Sequence, residues 1–274
     1  MLNDHEIKWI HRHAYLPEHL ADYVGAVSGA EPFFYRNYLY FLNKKHLMFN
    51  GYPLEPDSDP AARIYDSICE RLQPATVAVM APTIWLPAEQ CEQQTADSYY
   101  HLDFPLTPID AGVAYMLRRA QRELQVRRGS FGKEHKKMIK AFVAGRNLNR
   151  RQKYLFKHIP QYLKASASAV LLEARRAKQL SAFNIVELGA ADYAFYLFSF
   201  RSGKINVPGA SDLLFQEMVN LAQREGKKAV NLGLGVNAGI RRFKEKWGGV
   251  PFLDYTSAFV DKREVDIGKL AKKL

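Results

Sequence analysis

The chain has 274 residues, 47% of them hydrophobic and 24% charged, with a formal net charge of +11. That length and apolar content can bury a substantial core and exclude an intrinsically disordered chain. The N-terminal MLNDHEIKW lacks a basic-then-apolar leader and no run of about 18 uninterrupted apolar residues occurs, so a membrane-spanning helix is excluded and a cytoplasmic protein is expected.

In the first hundred residues, β-rich stretches at 33–41 and 46–49 flank Asn43-Lys44-Lys45 as a hairpin. A loop from Gly51 follows, then a helix over 60–72 and a strand over 76–80. Residues 54–60 carry three acids, which repel phosphate and suit an acceptor side better than a donor site. Cys69 and Cys91 lie far apart and form no CxxC, so they read as reduced core thiols. His11 and His13 have no carboxylate partner at metal-ligand spacing and read as surface residues; no metal site is expected.

The positive charge sits in the middle of the chain. Residues 1–117 carry a net −8, residues 118–178 a net +15 and residues 179–274 a net +4. Such density attracts polyanions, with tRNA, anionic lipid and nucleotide-linked substrates as candidate partners. Apolar periodicity predicts helices over 111–124, 133–143 and 151–162, with Gly129-Ser130 and residues 145–149 as breaks and Pro160 as a boundary. A further helix is expected over 163–180. Residues 183–188 and 193–200 are β-rich and apolar on both faces, which predicts a hairpin at the centre of a sheet.

The most informative stretch runs from 206 to 255. Val207-Pro208-Gly209-Ala210-Ser211 is a turn of small residues opening a helix, where free amides and the helix dipole favour a phosphate. Asp212 in the first turn already complements that dipole. Gly226 closes the helix, and a strand over 229–235 alternates bulky Val230, Leu232 and Leu234 with the nearly bare Ala229, Asn231, Gly233 and Gly235. Two glycines on one strand face mark a bulge or a close approach by a ligand or another backbone. Asn237 caps a short basic helix with an apolar stripe of Ile240, Phe243 and Trp247, ended by Gly248-Gly249.

The run LGLGVNAGIRRFKEKWGG, preceded by PGASDLLFQEMVNLAQREGKK, resembles the C-terminal part of GNAT-fold acyltransferases of the FemAB-like branch, over about residues 160–258. The resemblance implies an α/β (α+β) fold of two GNAT-like units, each a mixed, mostly antiparallel sheet flanked by helices. The expected division is a degenerate N-terminal unit over 1–110, a basic helical segment over 111–180 and a C-terminal half over 181–274 that carries the donor site. The resemblance assigns the donor's pyrophosphate to Val207, Gly209, Ala210 and Ser211, and its arm to splayed strands that include Asn231 and Gly233. It makes Lys244, with Arg241 one turn back and Asn237 at the helix start, a substrate-binding group facing phosphates. The usual Gln/Arg-x-x-Gly-x-Gly/Ala acetyl-CoA signature is absent, Pro208-Gly209-Ala210-Ser211 standing in its place, so acyl-CoA and aminoacyl-tRNA are both candidate donor co-substrates and no tightly bound cofactor is expected.

Acyl transfer to an amine needs a neutral nucleophile, donors for the oxyanion and a proton for the leaving group. Glu187, Tyr196 and Tyr255 are the candidate acids or bases. The expected activity is transfer of an acyl or aminoacyl group to a small-molecule or precursor amine acceptor, such as a cell-envelope precursor. The reading from another class is a catalytically silent GNAT-like module that binds RNA or another polyanion through residues 118–178.

Overall fold

The computed structural model describes residues 2–56, 59–106 and 110–263. In chain order the elements are α1 (Asp4–His13), α2 (Ala21–Ser28), β1 (Glu31–Tyr35), β2 (Tyr38–Asn43), β3 (His46–Asn50), α3 (Ala61–Leu72), β4 (Thr76–Ala81) and β5 (Gln93–Asp103). They continue with α4 (Ala111–Glu123), β6 (Gln125–Arg128), α5 (Lys133–Ala144), α6 (Arg150–Ala165), β7 (Ala169–Arg176) and β8 (Gln179–Glu187). The last are β9 (Tyr193–Arg201), α7 (Ala210–Arg224), β10 (Ala229–Leu234), α8 (Ala238–Glu245) and β11 (Val250–Asp261).

Two compact units result: Glu31–Ala96 with the stretch from Tyr255 onward, and Leu2–Ala30 with Asp97–Asp254. In the first, β1, β2 and β3 form an antiparallel meander, α3 crosses over to β4 parallel to β3, and residues 256–261 of β11 pair antiparallel with β4. Ile64, Tyr65 and Ile68 of α3 pack on Phe49, Val77 and Val79, the alternate residues of the strands beneath. The hairpin, loop, helix and strand expected here are present. The stretch 33–41, however, is broken into two strands by Arg36 and Asn37, both with positive φ (45° and 67°), the signature of a tight hairpin turn.

In the second unit the strands run β5-β10-β9-β8-β7-β6; β10 is parallel to β9, and every other adjacent pair is antiparallel. Helices cover both faces. On one, α4 and α7 bury Leu117, Leu214, Phe215 and Met218 against Leu172, Val186 and Val230. On the other, α5 and α6 bury Met138, Ile139 and Ile159 against Leu171, Phe183, Ile185 and Phe200. The basic residues of 118–178 are therefore divided between two faces and the β6 edge, and do not form a separate helical segment as expected.

The expected helix over 163–180 is the main correction. Helix α6 runs through Pro160 to Ala165, and the chain then forms the β7–β8 hairpin, turning at Ala177 with φ +51°. Ser166 makes the transition: its amide closes α6 on the Tyr162 carbonyl, and its Oγ accepts from Ser168 N (3.2 Å) and Ala169 N (3.0 Å). Val170, Leu171, Leu172 and Ala174 fit either periodicity, and the ladder with β6 and β8 decides for the strand. Cys69 and Cys91 are both free thiols; Cys69 is buried, as expected, while Cys91 is partly exposed and so is not a core thiol.

Candidate functional site

Strands β9 and β10 pair only through Tyr193, Ala194 and Phe195 against Ala229, Val230 and Asn231, although β9 runs on to Arg201 and β10 to Leu234. The strands part at a bulge in β10, between Asn231 and Gly233. Gly233 has φ +73°, and no atom lies within 4 Å of where a Cβ would stand. Its amide donates to Asn231 Oδ1 at 2.7 Å, and Asn231 Nδ2 donates to the Tyr15 carbonyl at 2.7 Å. Asn231 thus stitches the bulge to the N-terminal segment.

A strand that leaves its ladder exposes carbonyls needing a donor. Lys244 supplies one. Its Nζ donates to the Gly233 carbonyl (2.8 Å) and the Leu234 carbonyl (2.6 Å), and lies 5.3 Å from the Tyr100 ring centroid. Only 3% of the residue is exposed. Burial pushes its pKa down to about 7, against the opposing pull of Asp97. An ammonium has three protons and these carbonyls use two, so one is left uncommitted to them. Lys244 faces inward to β10 rather than outward from α8.

The loop between β10 and α8 is strained. Val236 has φ +57°, a conformation β-branched residues rarely adopt, and is 64% exposed. Its amide is held by Asp97 Oδ2 at 2.7 Å. Asn237 caps α8 through Oδ1 to the Ile240 amide (3.0 Å), and the exposed Arg241 packs its Cγ and Cδ beside Gly235. Asn231, Gly233 and Lys244 therefore meet at the splay, while Asn237 and Arg241 stand in the loop and helix that follow β10.

The turn at 207–211 is placed differently. Gly209 starts α7 with φ +82°, and a side chain there would press on the Met116 carbonyl oxygen and on Ala120 of α4. Its bareness is used by helix packing. Val207 and Ala210 are buried and Ser211 is partly exposed. Asp212 turns away from the helix start to accept from Trp247 Nε1 (3.0 Å) and Lys246 Nζ (2.5 Å), tying α7 to the end of α8.

The candidate acids and bases are dispersed. Glu187 is buried at the end of β8 and accepts from Tyr162 Oη (2.5 Å), Ser166 Oγ (2.6 Å) and the Leu188 and Gly189 amides (2.9 Å each). Its lone pairs are saturated, which suits anchoring of the α6–β7 turn. Tyr196 stands edge-on to Phe215, its pKa pushed up to about 12 by burial. Tyr255 belongs to β11, in the stretch grouped with the other compact unit. The sequence reading missed Glu18, in the single-turn helix Pro17–His19. It accepts from Tyr99 Oη at 2.8 Å, and burial raises its pKa. Tyr99 pairs with Leu234 on β10, so this carboxyl approaches the splay from the same N-terminal segment that Asn231 holds. Its only sequence signal was a lone acid in an apolar stretch.

Among the described residues no cluster of His, Cys, Asp and Glu could hold a metal, and no helix is long and apolar enough to cross a membrane. No protein-family profile matches the sequence, and no curated protein is significantly similar to it. Solved structures do match. The C-terminal domain of a putative lysylphosphatidylglycerol synthetase from Agrobacterium fabrum aligns at TM-score 0.64 and 13% identity, over 97% of this chain and 94% of that one. FemX aligns at 0.60 and 10%, over 93% and 96%. A tandem GNAT protein from the clavulanic acid biosynthesis pathway aligns at 0.51 and 10%, over 84% and 79%. The fold is GNAT-like, in two units. At these identities the likeness establishes the architecture alone.

Proposed function

We propose that the chain is a FemAB-like N-acyl or aminoacyl transferase whose transfer site is the β9–β10 splay. The observation that carries this reading is Lys244: a buried cation with one uncommitted proton, beside an open bulge where two parallel strands part. A neutral amine attacks the donor carbonyl, the C–N bond forms and the carbonyl electrons move onto oxygen. Lys244 stabilises that oxyanion, and a fixed donor in a water-poor site contributes about 3 kcal/mol to such a step. When the oxyanion collapses, the C–S bond of a thioester or the C–O bond of an aminoacyl ester breaks, and the leaving group takes up the proton the amine gives away. Glu18, with its raised pKa, is a better carrier for that proton than the saturated Glu187.

Acyl-CoA and charged tRNA both supply such a carbonyl. The name of one structural neighbour, a putative lysylphosphatidylglycerol synthetase, joins a lysyl group to phosphatidylglycerol and so favours an aminoacyl group as the one transferred; a cell-envelope precursor is the acceptor proposed here. The net +15 of residues 118–178 supports a polyanionic donor. It also supports the second reading, a module that binds RNA without chemistry.

The test is thermal unfolding with acyl-CoAs, nucleotide-linked precursors and charged tRNA, a ligand at 100 times its dissociation constant adding about 2.7 kcal/mol. It is followed by a transfer assay to an amine panel with each protective donor. Binding of tRNA that steepens as salt falls, is lost in Arg127→Ala/Arg128→Ala/Lys136→Ala/Lys137→Ala and accompanies aminoacyl transfer supports the enzyme. The same binding without transfer supports the RNA-binding module. Protection by acyl-CoA alone removes tRNA.

A further inference from the structure

The corner where β6 meets α5 forms an open depression of about 630 Å³, within the size range of small-molecule sites. The chain leaves β6 through Arg127 and Arg128, crosses the small loop Gly129-Ser130-Phe131-Gly132 and enters α5 at Lys133. Both arginines, Lys133 and Arg175 line the depression against two carboxylates, Glu134 and Glu173, leaving two positive charges in excess.

The cations are organised from behind. Glu173 on β7 is 2% exposed, and its Oε2 accepts Nε of Arg127 at 3.0 Å and Nε of Arg175 at 2.7 Å. Arg175 is then used up, its Nη1 on the Lys178 carbonyl and its Nη2 on Glu134. Arg127 is not. Held only by Nε, it keeps both Nη groups without a hydrogen-bond partner among the described residues, a fork ready for two anionic oxygens. Gly129 is bare because Glu173 occupies the place of its side chain, so the loop's shape and the carboxylate's position depend on each other. Lys133 stands at the start of α5 with no ion pair among the described residues, and Arg128 is 3.7 Å from Glu225.

His135 stands behind the cations. Its Nδ1 accepts the Gly132 amide at 3.0 Å, so Nε2 carries the proton. That Nε2 is buried and lies 3.0 Å from Glu173 Oε1, so the ring faces this carboxylate and leaves Arg127 and Lys133 as the groups open to an anion.

We propose that this corner binds the terminal phosphate or pyrophosphate of a small phosphorylated ligand, with the Arg127 fork and Lys133 as its principal contacts. It is separate from the transfer site and does not depend on that reading. The experiment is a calorimetric titration of the whole chain with inorganic phosphate, pyrophosphate and a short oligouridylate. The variants are Arg127→Ala/Lys133→Ala, Lys133→Ala alone, and Lys136→Ala/Lys137→Ala further along α5, each checked for folding by its thermal melt. Saturable pyrophosphate binding is expected, weakened at least about tenfold in the first variant, measurably in the second and unchanged in the third. Lys133 makes no ion pair among the described residues, so the single variant keeps the test open if the double variant unfolds. No binding of phosphate or pyrophosphate overturns the proposal. So does binding of oligouridylate alone, or equal loss in the Lys136→Ala/Lys137→Ala variant, since either outcome means diffuse surface charge.

Discussion

Gly209 and Gly233 invite the same inference and fulfil different purposes. Both have positive φ; Gly209 caps the start of α7, and Gly233 follows the bulge within β10. At Gly209 the missing side chain is filled by the Met116 carbonyl and Ala120 of a neighbouring helix; at Gly233 nothing lies within 4 Å. A glycine marks close approach or open space, and only the surrounding atoms tell which. The open glycine is the one beside a buried, partly unsatisfied cation.

This contrast predicts its own failures. Gly209→Val forces a β-branched residue into a left-handed conformation against backbone, and unfolding in urea is expected to show a loss of about 3 kcal/mol or more. A variant that stays fully stable but loses donor binding would restore Gly209 as the phosphate cradle. Lys244→Met keeps the stem and removes the charge; with an active donor and acceptor, transfer is expected to fall at least tenfold, about 1.4 kcal/mol in barrier. Unchanged turnover in the folded variant would remove Lys244 from the chemistry.

The same substitution has a pH signature. Lys244 titrates near 7 in the folded chain and near 10.4 once unfolded, so between those values the unfolded state binds more protons. Wild-type stability is therefore expected to rise relative to Lys244→Met as pH increases from about 7 to about 10, while any oxyanion stabilisation by the ammonium fades over the same range. Denaturation midpoints of the two proteins across pH separate these trends. A flat difference would mean that the lysine is not desolvated. Gly233→Ala meets no atom and is expected to cost about 1 kcal/mol of stability from backbone strain alone, with a larger relative effect on transfer. Val236→Gly is the mildest: relief of its left-handed strain is expected to raise stability by less than about 1 kcal/mol in the same assay, and a loss would show that the exposed side chain has a packing role.

Local signals were legible. The small-residue turn, the α7 periodicity, the bare face of β10 and the Asn237 cap are all decided within a few residues, and each is present. Residues 163–180 were misread because their apolar pattern fits two periods and only partner strands choose between them. Strand β5 was missed because its first half, Gln93 to Ser98, is polar and carries no alternation. The site was legible only in outline. Lys244 could be singled out, but its inward turn depends on carbonyls that a bulge frees, and Glu18 meets its partner Tyr99 on β5, 81 residues away in sequence.

The hydrogen bond from Asn231 to the Tyr15 carbonyl joins positions 216 residues apart. Contacts of such separation cost the most chain entropy to close and form late. During synthesis, the N-terminal segment emerges long before the strand it will cover and must wait, unpartnered on that side, until β10 clears the ribosome. The splay is consequently completed only once β10 has emerged, so a nascent chain arrested before Asn231 already has the β6–β9 strands but lacks the bulge, the lysine and the amide that holds the Tyr15 carbonyl.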